Sequence, residues 1–381
     1  MRAADFLGKS GSLSTALDGF QVREGQIDLC EAIDEAISHK QVLVAEAGTG
    51  IGKTFAYLVP AIHSGKKVII STGTRHLQDQ LYHIDLPRVI SALDVQVKSA
   101  LLKGRSNYLC LHRLELAPSL GFHNSETHSS LHEIETWSKQ TDSGDIAELP
   151  SVAEDSMVWP MVVSTVDNCL GSECDYWDDC YVVKARKKAQ EADVLVVNHH
   201  LLLADMSLKQ EGFAELLPGG EVFVIDEAHQ LHDVASRFFG ESVSSRQLIG
   251  LAKDAIAEQV NDAPDMHQIR EYADAVENAA RDFRLALGES GARLAWRTLQ
   301  HKPSVVKTLG ELSTALGDLA EMLDKASERS RGLDQCFQRT VKMQTCLRRF
   351  SEASKVSSDA DAAILWFETY TKSFYSACNS G

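Results

Sequence analysis

The chain has 381 residues, of which 44% are hydrophobic and 24% charged, and its formal net charge is −16. This length is sufficient for two or three domains with separate apolar cores. No apolar run approaches the roughly 20 residues that span a membrane, and the first 20 residues lack the apolar stretch of a signal peptide. The negative charge excludes a protein that coats nucleic acid by bulk attraction, but it allows a local basic channel. We expect a cytoplasmic protein with no membrane partner. Disulfides are rare in the cytoplasm.

The segment QVLVAEAGTGIGKTFAYLVPA combines a strand, a glycine loop and the start of a helix. Residues 42–45 predict a strand, and the apolar spacing of residues 55–62 predicts the helix. Glycines between them let successive backbone N–H groups face phosphate oxygens at the positive end of the helix. Lys53 is predicted to reach the β- and γ-phosphates and Thr54 to hold Mg²⁺. The predicted ATP-binding loop consists of Gly48, Thr49, Gly50, Ile51, Gly52, Lys53 and Thr54, preceded by Ala47 where the strict pattern has glycine.

Three cysteines, Cys169, Cys174 and Cys180, lie close together, and Cys110 precedes them at a distance. Zinc knuckles pair their cysteines in two matched halves, and this spacing fits that pattern badly. Four thiolates around an iron–sulfur cluster tolerate irregular spacing because each binds a different iron. The residues alone leave a cluster, a zinc site and plain packing open. The remaining cysteines have apolar neighbours and are predicted to be core residues: Cys30, Cys336, Cys346 and Cys378.

The second chemical motif is EVFVIDEAHQ at 221–230. It predicts a buried strand that delivers Asp226 and Glu227 at its carboxyl end, where open α/β sheets bind ligands. Asp226 is predicted to hold Mg²⁺ through its water shell, and Glu227 to orient and deprotonate the attacking water. His229 is predicted to link the site to a neighbouring domain. An acidic turn after a strand is common in isolation, and the upstream phosphate loop makes the catalytic interpretation specific.

The C-terminal part of the sequence has a helical texture. Apolar residues recur at steps of four and three along 305–323, a similar stripe covers 269–283, and a third begins at 333. These stripes predict a helical bundle with the apolar faces inside. In residues 364–378 apolar and polar residues alternate as in strands, and we expect these strands to join the sheet that carries the glycine loop and the acidic motif. The first stripe consists of Val305, Leu309, Leu312, Leu316, Leu319 and Leu323.

Asp-Glu-Ala-His is the motif of superfamily 2 helicases, and further segments narrow the resemblance. LLKGRSNYLC, DNCLGSEC, VVNHHLLLAD and DEAHQL occur in this order. Together they resemble the XPD-like, iron–sulfur-containing DNA helicases, most closely the bacterial DinG/YoaA type, over essentially the whole chain. The resemblance implies a [4Fe–4S] cluster on Cys110, Cys169, Cys174 and Cys180. It also implies that the C-terminal helices form the arch domain of these enzymes.

The same resemblance implies further binding residues. In FQVREGQ at 20–26, Arg23 and Gln26 correspond to the adenine-reading residues. VIISTGTRHLQDQL at 68–81 is similar to the first motif that binds single-stranded DNA. The basic run KARKK at 184–188 is a further candidate, against the simpler interpretation of a solvated helix face. The predicted nucleic-acid contacts are Thr72, Thr74, Gln78, Arg105, Arg186 and Lys187. Single-stranded or forked DNA is the expected partner, together with replication or repair proteins.

The predicted fold class is α/β. A RecA-like P-loop NTPase motor domain is expected at 1–105 and 185–235, with an inserted iron–sulfur module at 106–184. A mainly helical arch domain follows at 236–362, and strands that return to the motor domain at 363–381. No S/T-A-T triplet follows Asp-Glu-Ala-His and no Q-x-x-G-R occurs. Since the family carries the latter in a second RecA-like domain, the chain is expected to be the N-terminal portion of a helicase.

The expected function is an ATP-dependent DNA helicase that moves 5′ to 3′ and serves DNA repair. One alternative is a module that binds ATP and nucleic acid without turnover, because the second motor domain is not found in this sequence. Another is an RNA helicase with a structural zinc module, which the cysteine intervals disfavour. Strand preference separates the helicase types, and ATP turnover separates the enzyme from the binding module.

Overall fold

The secondary structure comes from a computed structural model, which describes residues 2–16, 19–48, 50–120, 125–210, 216–238, 241–353 and 364–379. Within these ranges the strands are β1 (Val68–Thr72), β2 (Ser99–Leu101), β3 (Val194–Asn198), β4 (Val222–Ile225), β5 (Glu241–Ser244), β6 (Arg293–Ala295), β7 (Ile364–Thr369) and β8 (Phe374–Asn379).

The helices of the first half are α1 (Ser12–Ala16), α2 (Glu24–His39), α3 (Lys53–His63), α4 (Arg75–Gln80), α5 (Leu86–Leu93), α6 (Leu111–Leu116), α7 (Ser125–Ser138), α8 (Trp159–Val162) and α9 (Tyr181–Gln190). Those of the second half are α10 (His199–Gln210), α11 (Leu231–Phe238), α12 (Ser245–Asp262), α13 (Gln268–Ala286), α14 (Trp296–Leu299), α15 (Pro303–Ala326) and α16 (Arg331–Ala353). Short 3₁₀ turns occur at Ala3–Leu7, Arg105–Asn107, Ala117–Leu120, Ile146–Glu148, Gly171–Glu173, Ala228–Gln230 and Ser327–Arg329, and a π-helical turn at Leu81–Asp85.

The chain divides into two compact units. The first consists of Met1–Gly104 and Val182–Ala235, and the second of Arg105–Tyr181 and Ser236–Gly381. Residues 106–181 of the predicted iron–sulfur module and residues 236–362 of the predicted arch domain therefore lie in the same unit. Among the helices of the described ranges, none has both the length and the apolar character that a membrane crossing requires.

A parallel sheet forms the centre of the first unit, in the order β2-β3-β1-β4. The central strands β1 and β3 consist almost wholly of β-branched and other apolar residues, and most of their side chains are buried, as expected for strands covered on both faces. α2, α3 and α5 contribute apolar residues such as Cys30, Leu58 and Val89 to the core beside these strands. Because the strands are parallel, their carboxyl ends lie at one edge of the sheet. This architecture confirms the predicted α/β class.

Two predictions about strands in this unit are wrong. Residues 42–45 are not a strand: the segment is extended without a ladder to any described strand, and Val42 and Val44 are 93% and 91% exposed. β4 exists, but it is an edge strand, so Phe223 and Ile225 are 53% and 39% exposed rather than buried. The apolar composition predicted burial correctly for β1 and β3. It could not reveal that β4 has a neighbour on one side only.

The second unit contains the predicted helical bundle. Every residue of the 305–323 stripe is buried on α15, and α15 packs against α13 and α16, while α12 packs against α13 and α16. The spacing of four and three places one residue per turn on the same face, which is why the prediction is confirmed here. Cys336 and Cys346 lie in this core, and Cys30 in the other unit, as predicted. The side chain of Cys378 lies outside the described residues.

The strands near the C-terminus contradict their predicted destination. β7 and β8 pair with each other and with β6 and β5, giving an antiparallel sheet in the order β5-β8-β7-β6 within the second unit. They do not return to the motor sheet. Phe283 of α13 and Phe350 of α16 pack on Phe367 of β7, with ring centroids 5.5 and 4.7 Å apart. Burial of these aromatic rings holds the hairpin on its own bundle.

Candidate functional site

The glycine loop lies between residue 48 and the first turn of α3. Gly50 and Gly52 have φ angles of 83° and 86°, a left-handed conformation that glycine adopts without strain. α3 begins at Lys53, as predicted. The loop therefore presents its backbone at a helix N-terminus, where N–H groups are free to bind an anion. Gly48 and Ile51 lie in this loop, whereas Thr49 lies outside the described residues.

Arg23 and Gln26, the predicted adenine readers, contact the glycine loop. Arg23 donates to the carbonyl oxygen of Gly50, and Gln26 Nε2 donates to that of Gly52 at 2.8 Å. A Cβ at position 52 would lie 2.2 Å from Gln26 Nε2, so this approach also requires glycine. Gln26 Oε1 is buried and accepts no hydrogen bond from the described residues. A buried free acceptor suits an amino group such as that of adenine, so these residues fit the nucleotide.

Lys53 forms an ion pair with Glu227 across the site, with Nζ 2.9 Å from Oε1. This hydrogen bond raises the pKa of Lys53 and lowers that of Glu227, so both groups are charged at neutral pH. Both side chains are about one-third exposed, so solvent weakens the pair. A phosphate group that enters the glycine loop would compete with Glu227 for the ammonium group.

Asp226 and Glu227 stand just beyond β4. The Asp226 N–H donates to the carbonyl oxygen of Ser71 at 2.9 Å and continues the ladder with β1. Glu227 has a φ angle of 52°, a left-handed conformation that is strained by roughly 1–3 kcal/mol in a residue with a Cβ. Its N–H donates to Asp226 Oδ1 at 3.1 Å. The sharp turn points the two carboxylates in different directions, and one of them faces Lys53.

Thr54 and Asp226 are the residues that could hold Mg²⁺. Burial and the charge of Glu227 raise the pKa of Asp226, and Lys53 opposes this rise. A divalent cation would reverse the effect, since it stabilises the ionised carboxylate. Tyr57 Oη lies 3.5 Å from Asp226 Oδ2 and helps to orient it. His229 is 72% exposed, with Nδ1 3.5 Å from Glu227 Oε2, so its predicted link to a neighbouring domain stays a prediction.

The segment predicted to bind single-stranded DNA is only partly available. Thr74 is exposed and caps α4, its Oγ1 accepting the Leu77 N–H at 3.3 Å. Thr72 is 1% exposed and Gln78 is fully buried. Gln78 Nε2 donates to the carbonyl oxygen of Leu102 at 2.9 Å. Both side chains face the interior in this conformation, so the DNA contacts of Thr72 and Gln78 gain no support from it and stay predictions.

Two residues near the site were not predicted. Buried His199 follows β3 directly, and its Nδ1 lies 2.7 Å from Ser71 Oγ. Burial lowers the pKa of His199, which keeps the ring neutral. Gln230 covers Gly73, where a Cβ would lie 2.2 Å from its Oε1. His199 directly follows a strand and Gln230 directly follows the acidic motif. A polar residue in such a position is the sequence feature from which each could have been predicted.

The four cysteines predicted as cluster ligands are partly exposed free thiols of the second unit. Burial raises the pKa of Cys110 to about 11, and negative charge at Cys169 and Cys174 adds to the rise. Burial likewise raises the pKa of Cys174, with further contributions from Cys169 and Cys180. The thiolates therefore lie close enough to repel one another. Across the described ranges no three His, Cys, Asp or Glu side chains surround a point as a single metal ion requires.

Comparison with known proteins identifies relatives of the chain. The family described as DEAD/DEAH box helicase matches residues 29–127. ATP-dependent DNA helicase YoaA of Escherichia coli is 47% identical over 371 residues, which are 97% of this chain and 58% of that protein. The chain contains a match to the DEAD/DEAH box helicase family and is homologous to YoaA over nearly its whole length. The predicted DinG/YoaA resemblance is thus confirmed, although the chain spans little more than half the length of this curated relative.

More distant relatives also match. ATP-dependent helicase DinG of Mycobacterium tuberculosis is 34% identical over 274 residues, which are 66% of this chain and 40% of that protein. A solved structure described as "Truncated XPD" covers 92% of this chain and 85% of its own, with 17% identity and a TM-score of 0.42. That likeness is too distant to specify function.

The ion pair in the site generates a prediction. In Glu227→Gln the competing carboxylate is gone, and Lys53 is free for phosphate. We expect Mg-ATP to bind severalfold more tightly than to the unmodified chain, whereas Lys53→Ala should weaken binding. Equilibrium titration with a fluorescent ATP analogue measures both. Glu221→Gln, at the other end of β4, is the matched control, and equal tightening there would contradict the competition.

Proposed function

We propose that this chain carries the ATP-binding part of a DNA helicase that uses ATP hydrolysis to move 5′ to 3′ along single-stranded DNA in repair. The observation that carries the proposal is the position of Lys53, at a glycine loop, directly opposite Glu227 and beside Asp226. These are a phosphate-binding cation, a candidate water-activating base and a candidate metal ligand. Forked DNA, repair proteins and a cytoplasmic location belong to the same proposal.

The residues divide the chemistry among them. The glycine loop and Lys53 bind and orient the phosphates, while Arg23 and Gln26 hold the loop and read the base. Mg²⁺ on Thr54 and Asp226 would neutralise charge on the phosphates. Glu227 accepts a proton from the attacking water once phosphate has displaced it from Lys53. His199 and Ser71 fix the ends of β3 and β1 behind these groups.

A second candidate function is binding of ATP and DNA without turnover. It applies if no arginine joins these ATP-binding residues at the γ-phosphate. An arginine that contacts the γ-phosphate in the transition state typically contributes ~10³–10⁵-fold to the rate. The helicase and the binding module should both bind ATP and DNA, and only the helicase should release phosphate rapidly.

The 381-residue chain should therefore bind Mg-ATP yet release phosphate slowly, with little stimulation by single-stranded DNA. A longer protein that spans the length of the curated relatives should show rapid, DNA-stimulated release, and Lys53→Ala should abolish it. Exposed Lys98→Ala serves as the control and should behave like the parent. Rapid Lys53-dependent release by the 381 residues would reject the binding-only candidate. Absence of release from the longer protein would reject the helicase.

An iron–sulfur cluster on Cys110, Cys169, Cys174 and Cys180 completes the proposal. The support is chemical: four thiols of one unit lie close enough for their charges to interact, and thiolates are the ligands of such clusters. When bound, the cluster would tie the distant Cys110 to the 168–180 segment.

Anaerobically purified protein should be brown, with broad absorbance near ~400 nm from the cluster and about four irons per chain. Cys174→Ser should bleach this absorbance, because serine is a poor ligand for iron in such a cluster. Buried Cys336→Ser is the control and should keep the colour if the protein remains folded. Colourless protein with one zinc per chain would instead establish the zinc alternative.

DNA binding is proposed for exposed polar and basic residues rather than for the net charge. Thr74 and Lys187 are exposed, and Arg105 and Arg186 are half-buried. Phosphate contacts of this kind release counterions, which makes binding sensitive to salt. Thr72 and Gln78 are not part of this proposal.

Charge reversal of Arg186 and Lys187 should weaken binding to single-stranded DNA and reduce the slope of log affinity against log salt by about 1.4, since each lost contact removes roughly 0.7. Reversal of Lys302 and Lys307, two exposed lysines of the second unit, changes the net charge equally and is the control. Fluorescence anisotropy at several salt concentrations gives both slopes. If neither pair changes the slope, residues 184–188 are a solvated face.

A further inference from the structure

A buried ion cluster lies in the second unit, outside the nucleotide site. Asp254 of α12 is its centre: Oδ1 lies 2.7 Å from Arg113 Nη1, and Oδ2 lies 2.7 Å from Arg339 Nη1. The three side chains are 7%, 8% and 9% exposed, in the order Asp254, Arg113 and Arg339. A buried group of charges needs a structural reason, because desolvation offsets much of the attraction.

The first reason is the position of Arg113 relative to a cysteine. Arg113 lies on α6, which begins directly after Cys110. Its Nε donates to the carbonyl oxygen of Met161 at 3.2 Å, and its Nη2 donates to that of Pro160 at 3.4 Å. The Cys110 N–H donates to the carbonyl oxygen of Val162 at 2.8 Å. One guanidinium group therefore joins the Cys110 segment, the chain before the cysteine trio, and Asp254.

The second reason is the contact of Asp254 with the residue just before the cysteine trio. Asn168 immediately precedes Cys169, and its Nδ2 lies 3.5 Å from Asp254 Oδ2. Asn168 Oδ1 accepts the Thr165 N–H at 2.7 Å, which fixes the turn before the cysteine. Gln335 Nε2 of α16 donates to the carbonyl oxygen of Asp167, the residue before Asn168, at 2.9 Å. α12 and α16 thus hold the backbone next to Cys169.

The same face of α12 makes a second close contact one turn later. Glu258 is nearly buried and lies 3.5 Å from His112 Nε2, two residues after Cys110. Gly332 of α16 lies against the Glu258 carboxylate, where a Cβ would be 2.0 Å from Oε2. A larger residue at position 332 would therefore have to displace the Glu258 carboxylate. The acidic face formed by Asp254 and Glu258 receives the Cys110 segment from one side and α16 from the other.

We propose that Asp254 is a positioning residue for the cluster: through Arg113 and Asn168 it fixes the distance and orientation between Cys110 and Cys169. The inference rests on the proposed cluster. Asp254 itself does not bind iron in this proposal. Groups that orient metal ligands typically change metal affinity 10- to 100-fold when mutated. Loss of the Asp254 charge leaves two buried guanidinium groups without their anion, and the two cysteine segments lose their common anchor.

The test is iron retention by anaerobically purified protein. Asp254→Asn keeps the size of the side chain and removes its charge, and we expect iron release to a chelator to be about tenfold faster or more, with earlier bleaching near ~400 nm. Asp265→Asn is the matched control, because it removes an exposed partner of Arg329 on the same unit. Arg113→Lys keeps the charge and loses the forked donors, so it should show a similar but smaller change.

Leu316→Ala separates positioning from general loss of stability, because it opens a cavity in the same bundle at a residue that the contacts above do not involve. All five tryptophans lie in the second unit, so their fluorescence follows its unfolding. Faster release in Asp254→Asn than in a Leu316→Ala protein of equal or lower melting temperature supports the proposal.

Equal release rates in those two variants would overturn the proposal, as would unchanged release in Asp254→Asn from an iron-loaded parent. If Asp254→Asn does not fold, Arg113→Lys decides by the same comparison. A parent protein that binds no iron would overturn the proposed cluster and this inference with it.

Discussion

The nucleotide site depends on one ion pair, between Lys53 and Glu227, which are 174 residues apart in the chain. The parallel sheet makes the pair possible, because β1, β3 and β4 end at the same edge and α3 begins there. Ser71 accepts from the Asp226 N–H, so β1 supports the acidic turn directly. Residues 105–181 of the second unit lie between β1 and β4 in the chain, and the ladder between these two strands is unbroken.

The ion pair also bears on nucleotide affinity. Glu227 neutralises the Lys53 ammonium group, and Arg23 and Gln26 hold the loop by its carbonyl groups. The strained backbone of Glu227 is kept because its N–H and its side chain both have partners. A nucleotide would exchange these internal contacts for contacts with phosphate and base, and the exchange moderates its affinity.

In the second unit, buried ion pairs and hydrogen bonds add to apolar burial in joining the cysteine segments to the bundle. The aromatic rings and leucines of the bundle account for the packing of α13, α15, α16 and the antiparallel sheet. The segment 160–168 contacts the bundle through carbonyl groups, which accept hydrogen bonds from Arg113, and through the Asn168 side chain, which donates to Asp254. Arg113 is itself paired with Asp254. Directional contacts of this kind specify a unique geometry, which ligands of a metal cluster need and a leucine interface does not provide.

The sequence by itself determined the glycine loop, the acidic motif, the helical stripe of α15 and the family, since each is a local pattern with its own physical cause. It did not determine which strands are edges, so Phe223 was expected to be buried and residues 42–45 were expected to form a strand. Nor did it show that Gln78 faces the interior, or that β7 and β8 pair within the second unit. Strand pairing and helix orientation depend on partners far away in the chain, and local spacing carries no information about them. The meeting of Asp254 with Arg113 and Arg339 is of the same kind: only the tertiary structure brings three charges from separate segments into one buried contact.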